Sequence, residues 1–414
     1  MDDVLESLFN RFINHAGIFK DREVLRHDYL PNQLPHREDQ IRHVGEIVAP
    51  LLKGCRCSNL FIYGKTGTGK TAVTKYVLRK LTSKAEEIRV KINALYINCR
   101  FAGTEYRILS QLCEGLGANV PFTGLALSEV FDRFCDALEF NETLLLVVLD
   151  EIDALVKAKG DNILYELTRI NETLTKSRVS IIGISNDLRF KEWLDPRVLS
   201  SLSEEELVFR PYNASELKDI LAERAKLAFV EGALTEGALS LCAALAAAEH
   251  GDARRAIDLL RVAAEIAERK GDSKILENHI REAEKRIEHD RVAYAVKNLP
   301  LHSKLVLHSV YLLARANVNN AITGDIYEVY MELCDEIGIT PLTQRRISSI
   351  ISELDSVGLL NARVVSLGRY GRTKKIRLGI NRMVIREVFS NDGRLGSLVN
   401  YEPKCLARPP NHRH

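Results

Sequence analysis

No apolar run in this 414-residue sequence approaches the length of a membrane span. The opening Met1-Asp2-Asp3 is acidic and no long apolar stretch follows, so no secretory signal is expected and the chain reads as cytoplasmic. Cysteine is sparse, with 8 residues of which only Cys55 and Cys57 form a close pair. A C-x-C pair without a second pair is a poor zinc site. Cys99, Cys113, Cys135, Cys242 and Cys334 lie in apolar stretches, so free thiols are expected. The histidines form no H-x-x-x-H or H-E-x-x-H pattern, which argues against a transition metal held by the protein. No internal repeat or low-complexity tract is evident. Net charge is only +2, and the basic excess sits near the C-terminus. A hydrophobic share of 46% with 28% charged residues describes a globular chain, long enough for two or three domains.

What is present is organised around Gly64-Lys65-Thr66-Gly67-Thr68-Gly69-Lys70-Thr71. It fits G-x-x-x-x-G-K-S/T at every fixed position. The apolar run Leu60–Tyr63 before it reads as a buried strand, and Ala72–Leu78 after it as a helix. Strand, glycine loop and helix make a phosphate site. The loop N–H groups point at phosphate oxygens, Lys70 reaches the β- and γ-phosphates, and the Thr71 hydroxyl holds Mg²⁺. A second signal is the aliphatic run Leu144–Leu149 ending in Asp150-Glu151. Asp150 at the carboxyl end of a strand can order Mg²⁺ and its waters, and Glu151 is placed to polarise an attacking water. Asp153 reads as a helix cap or surface residue. Residues 179–185 form another strand, ending at Asn186, which would lie between the carboxylates and the γ-phosphate.

Before the loop, an amphipathic opening helix and an extended arm run to Pro35-His36-Arg37. His36 and Arg37 belong either near the base of a nucleotide or in a solvated linker. Residues 93–99 read as a strand, followed by helices over 104–116 and 128–140. A short strand over 207–209 leads to Pro211 and Asn213, which mark a boundary. Helices then run over 215–229, 235–249, 252–270 and 273–297, with Asp252 and Asp272 as N-caps. Beyond Pro300, helices over 303–316, 323–337 and 343–357 precede two strands, 363–366 and 373–380. In the third helix Ile347, Ile350, Ile351, Leu354 and Val357 make the apolar stripe. Arg345, Arg346 and Ser349 lie off that stripe. Three helices and a hairpin form a winged helix-turn-helix. The hairpin carries Arg369, Tyr370, Arg372, Lys374 and Lys375 with no acidic residue from Arg363 to Arg382, which points to DNA.

These motifs, in this order, resemble the AAA+ replication initiators, in particular the archaeal family related to the origin recognition complex's largest subunit and the cell-division-cycle helicase loader. The resemblance also rests on Leu34–Glu38, Leu194–Val198, Phe209–Tyr212 and Gly251–Ala256. It implies an α/β fold: a parallel-sheet ATPase base over 1–212, a helical lid over 213–297 and a winged helix over 298–390; the remaining tail over 391–414 reads as disordered from its polar, proline-bearing composition. It implies ATP or ADP with Mg²⁺, and slow hydrolysis acting as a switch. The implied partners are double-stranded origin DNA, the replicative helicase and other initiator subunits, with no membrane, in the cytoplasm at the nucleoid. By the same resemblance Asn186 is a γ-phosphate sensor, Arg254 a lid arginine on that phosphate, and Tyr212 and Arg224 contact the nucleotide. The stretch around 122–133 would touch duplex DNA. Where many relatives carry an arginine finger this chain has Ser201, which leaves Arg197 as the nearest residue to act in trans. A signalling ATPase with a winged-helix module is the alternative; Glu151 argues against it.

Overall fold

The computed structural model describes residues 5–6, 17–121, 123–202, 204–318, 320–366 and 372–404. It divides into two compact units, 1–283 and 284–414.

The first unit is built on five strands: β1 (Leu60–Gly64), β2 (Ile92–Asn98), β3 (Leu144–Asp150), β4 (Arg178–Ser185) and β5 (Glu205–Phe209). All pair in parallel, in the order β2-β3-β4-β1-β5. A parallel sheet buried on both faces explains why β3 is aliphatic throughout. Leu145, Val147 and Leu149 face one core layer; Leu146 and Val148 face the other. The first layer holds α1 (Glu105–Gly115) and α2 (Leu127–Asn141), and the second holds the helix after the glycine loop, α3 (Lys70–Ile88). Every β-strand carboxyl end thus opens on the same edge, where β1 runs into the glycine loop and β3 ends in Asp150. The stretch expected to touch duplex DNA includes the start of α2; Phe122 lies outside the described residues.

Four helices follow: α4 (Ala214–Ala228), α5 (Glu236–Ala248), α6 (Ala253–Lys270) and α7 (Glu277–Lys297). Asn213 and Glu216 close a capping box on α4. Asp252 caps α6 as expected, accepting from the N–H groups of Arg254 and Arg255. Asp272 caps nothing: α7 begins at Glu277, and the Asp272 carboxylate sits 3.0 Å from His279 Nε2 instead. The arm is pinned to the end of α4, with Lys20 N–H on Ala228 O and Val230 N–H on Ile18 O.

The second unit holds α8 (Leu301–Arg315), α9 (Thr323–Glu336), α10 (Gln344–Ser356) and the antiparallel hairpin β6 (Leu360–Ser366) with β7 (Arg372–Leu378). Its boundary falls inside α7 rather than after residue 297, because Val296 is fully buried in the winged-helix core. Ile347, Ile350, Ile351 and Leu354 face that core as read, but Val357 follows the helix and is 65% exposed. A further helix, α11 (Arg382–Ser390), is capped by Asn381.

Residues 391–404 pack on this unit, where a disordered tail over 391–414 is expected from the polar, proline-bearing sequence; residues 405–414 lie outside the described residues. Leu395, Leu398 and Val399 are buried in the same core. The Arg315 guanidinium donates to the carbonyls of Val399, Asn400 and Tyr401, and buried His308 donates from Nε2 to Leu398 O. Three apolar anchors in a polar segment are enough to seat it. Leu395→Ala is therefore expected to destabilise the unit by about 2–5 kcal/mol, read as a lowered midpoint of its transition in denaturant; an unchanged midpoint would return the segment to a free tail.

Candidate nucleotide site and nucleic-acid interface

The glycine loop is shaped by what approaches it. Gly67 and Gly69 have φ of 69° and 92°, which side chains disfavour. A Cβ on Gly67 would fall 1.7 Å from the Asp252 carboxylate, and one on Gly69 2.7 Å from the Tyr212 hydroxyl. The N–H of Ala253, first residue of α6, donates to Gly67 O at 3.1 Å. Sheet loop and lid helix are thereby joined backbone to backbone.

Lys70 begins α3 and is buried, its ammonium donating to the carbonyls of Gly64 and Lys65 at 2.7 Å each. Burial lowers its pKa to about 8; Asp150 opposes that shift and Arg254 adds to it. The Thr71 hydroxyl donates to Asp150 Oδ2 at 2.7 Å. Glu151 sits at φ 54°, turning the chain sharply so that its own N–H caps Asp150 Oδ1 at 2.8 Å. Its carboxylate meets Asn98 Nδ2 at 3.4 Å and Arg100 at 3.7 Å. Asn186 follows β4, its N–H held by the Asp153 carboxylate at 3.1 Å. Asp153 is therefore neither cap nor surface residue but the anchor of that strand tip.

The loop, the ends of β3 and β4 and the lid line one cleft of about 400 Å³. Gly67, Thr68, Gly69, Lys70, Thr71, Asp150, Glu151, Asn186, Tyr212, Arg224 and Arg254 all border it. Gly64, Lys65 and Thr66 shape the loop without bordering the cleft. The arm contributes Tyr29, Pro31 and Leu34, and the lid Ile220, Leu227 and Ile257. These give that end apolar surface suited to a flat ring, beside the polar Asn32, Gln33, Glu223 and Lys226.

His36 and Arg37 do not border the cleft. His36 pairs with Asp219 at 2.8 Å. Arg37, 4% exposed, threads beneath the loop: it donates to Thr68 O, His36 O and Arg210 O and lies 3.7 Å from the Tyr212 ring centre. Burial lowers its pKa, which Tyr212 counters. Arg224 donates to Val24 O and Tyr29 O, so its guanidinium braces the arm. Sequence spacing gave no sign of these braces, since all their acceptors but His36 O are backbone carbonyls far along the chain. It also missed Tyr96, whose hydroxyl donates to Asp150 Oδ2 at 2.6 Å, and Asn98 and Arg100. Arg197 is exposed and held by Asp195 at 3.1 Å, away from this cleft's lining.

In the second unit Arg345, Arg346 and Ser349 are exposed on α10. Arg346 pairs with Glu353 at 3.1 Å. Register places Arg363 opposite Lys375 and Asn361 opposite Arg377 on the outer face of the hairpin. Lys374 is on the other face and donates to Ser352 Oγ of α10 at 2.7 Å, so it ties the wing to the helix. Arg372 opens β7; Arg369 and Tyr370 lie outside the described residues.

The sheet order, the glycine loop with its Asp150-Glu151 partner and the docked lid define a AAA+ ATPase, here joined to a winged helix. Family models match in the same succession: an AAA domain over residues 55–191, the Cdc6 AAA+ ATPase-type lid domain over 218–285 and the CDC6 C-terminal winged helix domain over 294–388. The chain belongs to the ORC1-type DNA replication proteins. It is 50% identical to the one from Thermococcus onnurineus over 96% of this chain and 97% of that protein. It is 51% identical to ORC1-type DNA replication protein 1 of Sulfolobus acidocaldarius over 96% and 99%. Among solved structures, the Aeropyrum pernix ORC1 protein in complex with DNA is 48% identical, with a TM-score of 0.80 over 92% of this chain and 99% of that one. Membership sets aside the signalling-ATPase alternative.

The placement of Arg37 separates a brace from a base contact. Arg37→Ala should remove donors from three backbone carbonyls, one of them buried, and cost about 2–4 kcal/mol, with no change in preference for adenine over guanine nucleotides. Melting curves and competition binding check both; an altered base preference at normal stability would put Arg37 beside the base.

Proposed function

We propose that this protein is an ATP-dependent replication initiator that binds duplex DNA at replication origins and helps recruit or load the replicative helicase, with other initiator subunits, at the nucleoid. The observation that carries the reading is the convergence of Lys70, Asp150, Glu151, Asn186 and Arg254 on one cleft between sheet and lid. The likeness to ORC1-type proteins, one of them solved with DNA, supports it.

Lys70 exchanges carbonyl partners for the β- and γ-phosphates. A buried ammonium with its pKa near 8 gains from an anion more than an exposed lysine would. The loop amides at the start of α3 bind the remaining phosphate oxygens. Thr71 and Asp150 suit Mg²⁺: a hydroxyl and a carboxylate are hard oxygen donors, and they meet at 2.7 Å. Among the described residues no group of three or more His, Cys, Asp or Glu could hold a metal, which suits an ion that takes its other ligands from phosphates and water. When bound, Mg²⁺ would offset charge on the phosphate oxygens. Glu151 accepts the proton of the attacking water, and Asn186 orients that water. Arg254 reads the γ-phosphate from the lid, so its loss on hydrolysis is felt by α6. Tyr212 closes the base–lid corner, and Arg224 shapes the base slot through the arm. Arg197 reaches a neighbouring subunit's nucleotide, which makes hydrolysis by a lone chain slow.

On DNA, α10 enters the major groove with Arg345 and Ser349 at base edges, and the tip residues Arg369, Tyr370 and Arg372 reach the adjoining minor groove. Lys375, with Arg363 and Arg377 beside it, meets phosphates. Lys374 and Arg346 already have partners and contribute less.

Two outcomes are expected. Lys70→Ala should abolish or greatly weaken ATP binding, while Glu151→Gln binds ATP and fails to hydrolyse it; equal affinity loss in both would contradict the assigned roles. Lys375→Ala should weaken binding to origin and random duplexes alike and reduce the salt slope by about 0.9, whereas Arg345→Ala should cost roughly 1–3 kcal/mol on origin DNA alone. Affinity across a salt series measures both, and parental behaviour of the two variants would remove the winged helix as the reading surface.

A further inference from the structure

The Asp150 carboxylate is 4% exposed and fully engaged. Oδ1 accepts the Glu151 N–H, and Oδ2 accepts two hydroxyls, from Thr71 at 2.7 Å and Tyr96 at 2.6 Å. Tyr96 belongs to the edge strand β2, where it pairs with Val148, two residues short of the Asn98–Asp150 pair. Its ring therefore lies on the sheet face that carries α3 and reaches forward to the tip of β3. From α3, one turn beyond Thr71, Lys75 sets its ammonium 4.2 Å from the ring centre. That cation holds the ring plane in place. The hydroxyl is thereby aimed at Asp150 as a donor.

We propose that Tyr96 is the positioning residue for the divalent cation: its O–H fixes the rotation of the Asp150 carboxylate, with Lys75 fixing the ring. This rests on the nucleotide reading above, since the cation arrives with the phosphates. The two hydroxyls on Oδ2 have different duties. A threonine hydroxyl can offer a lone pair to a cation while its proton stays on a carboxylate, so Thr71 would be shared between the two. Tyr96, on β2, has no second duty of that kind and keeps its proton on Oδ2. Without it the buried carboxylate oxygen would have one donor where it now has two, and its rotation would be less fixed when a cation is to be held. Partners of this kind, one step removed from a metal, typically govern its affinity by 10–100-fold.

Tyr96→Phe preserves shape and burial and removes only the hydroxyl; Lys75→Met removes the cation and keeps the aliphatic stem. Fluorescent ADP is titrated against the full chain in EDTA and across a Mg²⁺ series. Tyr96→Phe should match the parent in EDTA and need about 10-fold more Mg²⁺ for the metal-dependent gain in affinity, with Lys75→Met shifting the midpoint less in the same direction. A parental Mg²⁺ midpoint in Tyr96→Phe overturns the proposal, as does an equal loss of ADP affinity with and without Mg²⁺, which would mark Tyr96 as merely structural. Failure of the parent itself to bind ADP would instead overturn the nucleotide reading.

Discussion

Everything in the first unit depends on the absence of side chains at three points of one loop. Where Gly64 would carry a Cβ stands the carbonyl of Phe209 at 2.5 Å; at Gly67 stands Asp252; at Gly69 stands the Tyr212 hydroxyl. One neighbour is the end of β5, one is the cap of the lid helix, and one is the corner between them. The loop is thus the place where sheet, lid and junction come within van der Waals contact of one backbone. A change in what the loop holds must be felt by α6, whose first N–H is bonded to Gly67 O. This contact gives a physical route from the phosphate end of the cleft to the lid without any long chain of intermediaries.

Charge is arranged around that loop in two classes. Arg37 and Arg224 are buried cations that donate to backbone carbonyls, and burial lowers the pKa of each. Their planar forks suit them to bracing several backbone oxygens at once. Lys70 is buried in the same way but is a point charge on a flexible stem, and its two carbonyl acceptors come from the loop itself. A group with those properties can change partners; a fork satisfied by three separate segments cannot. Arg254, exposed and facing the cleft from α6, belongs with Lys70 rather than with the braces.

The legible part of this chain was what local pattern encodes. The aliphatic run of β3, the glycine loop, the Asp150-Glu151 end and the caps Asn213 and Asp252 each involve residues within a few positions of one another. The braces were illegible for the converse reason: Arg224 is 200 positions from the Val24 carbonyl it holds, and Tyr96 is 54 from Asp150. His36 and Arg37 stood out as polar residues in the arm, yet their neighbours Pro31, Asn32, Gln33, Leu34 and Pro35 are the ones that border the cleft. Composition also misled at the C-terminal end, where three buried side chains outweigh many polar ones.

That end matters for how the winged helix presents its charge. The hairpin's inner face carries Leu360 and Ile376 into the core, which fixes its outer face as the one with Arg363, Lys375 and Arg377. A one-residue slip would turn these cations inward, so register and charge display are the same constraint. Ile376 is held further by the paired bridge to Ala321, at 2.8 and 3.0 Å, and Lys374 anchors the strand to α10. Behind them, Leu395, Leu398 and Val399 close the core against α8, with Arg315 clasping the last carbonyls. The stretch 391–404 therefore belongs to the same packing as the basic surface: its three buried side chains help close the core that the hairpin's inner face also enters.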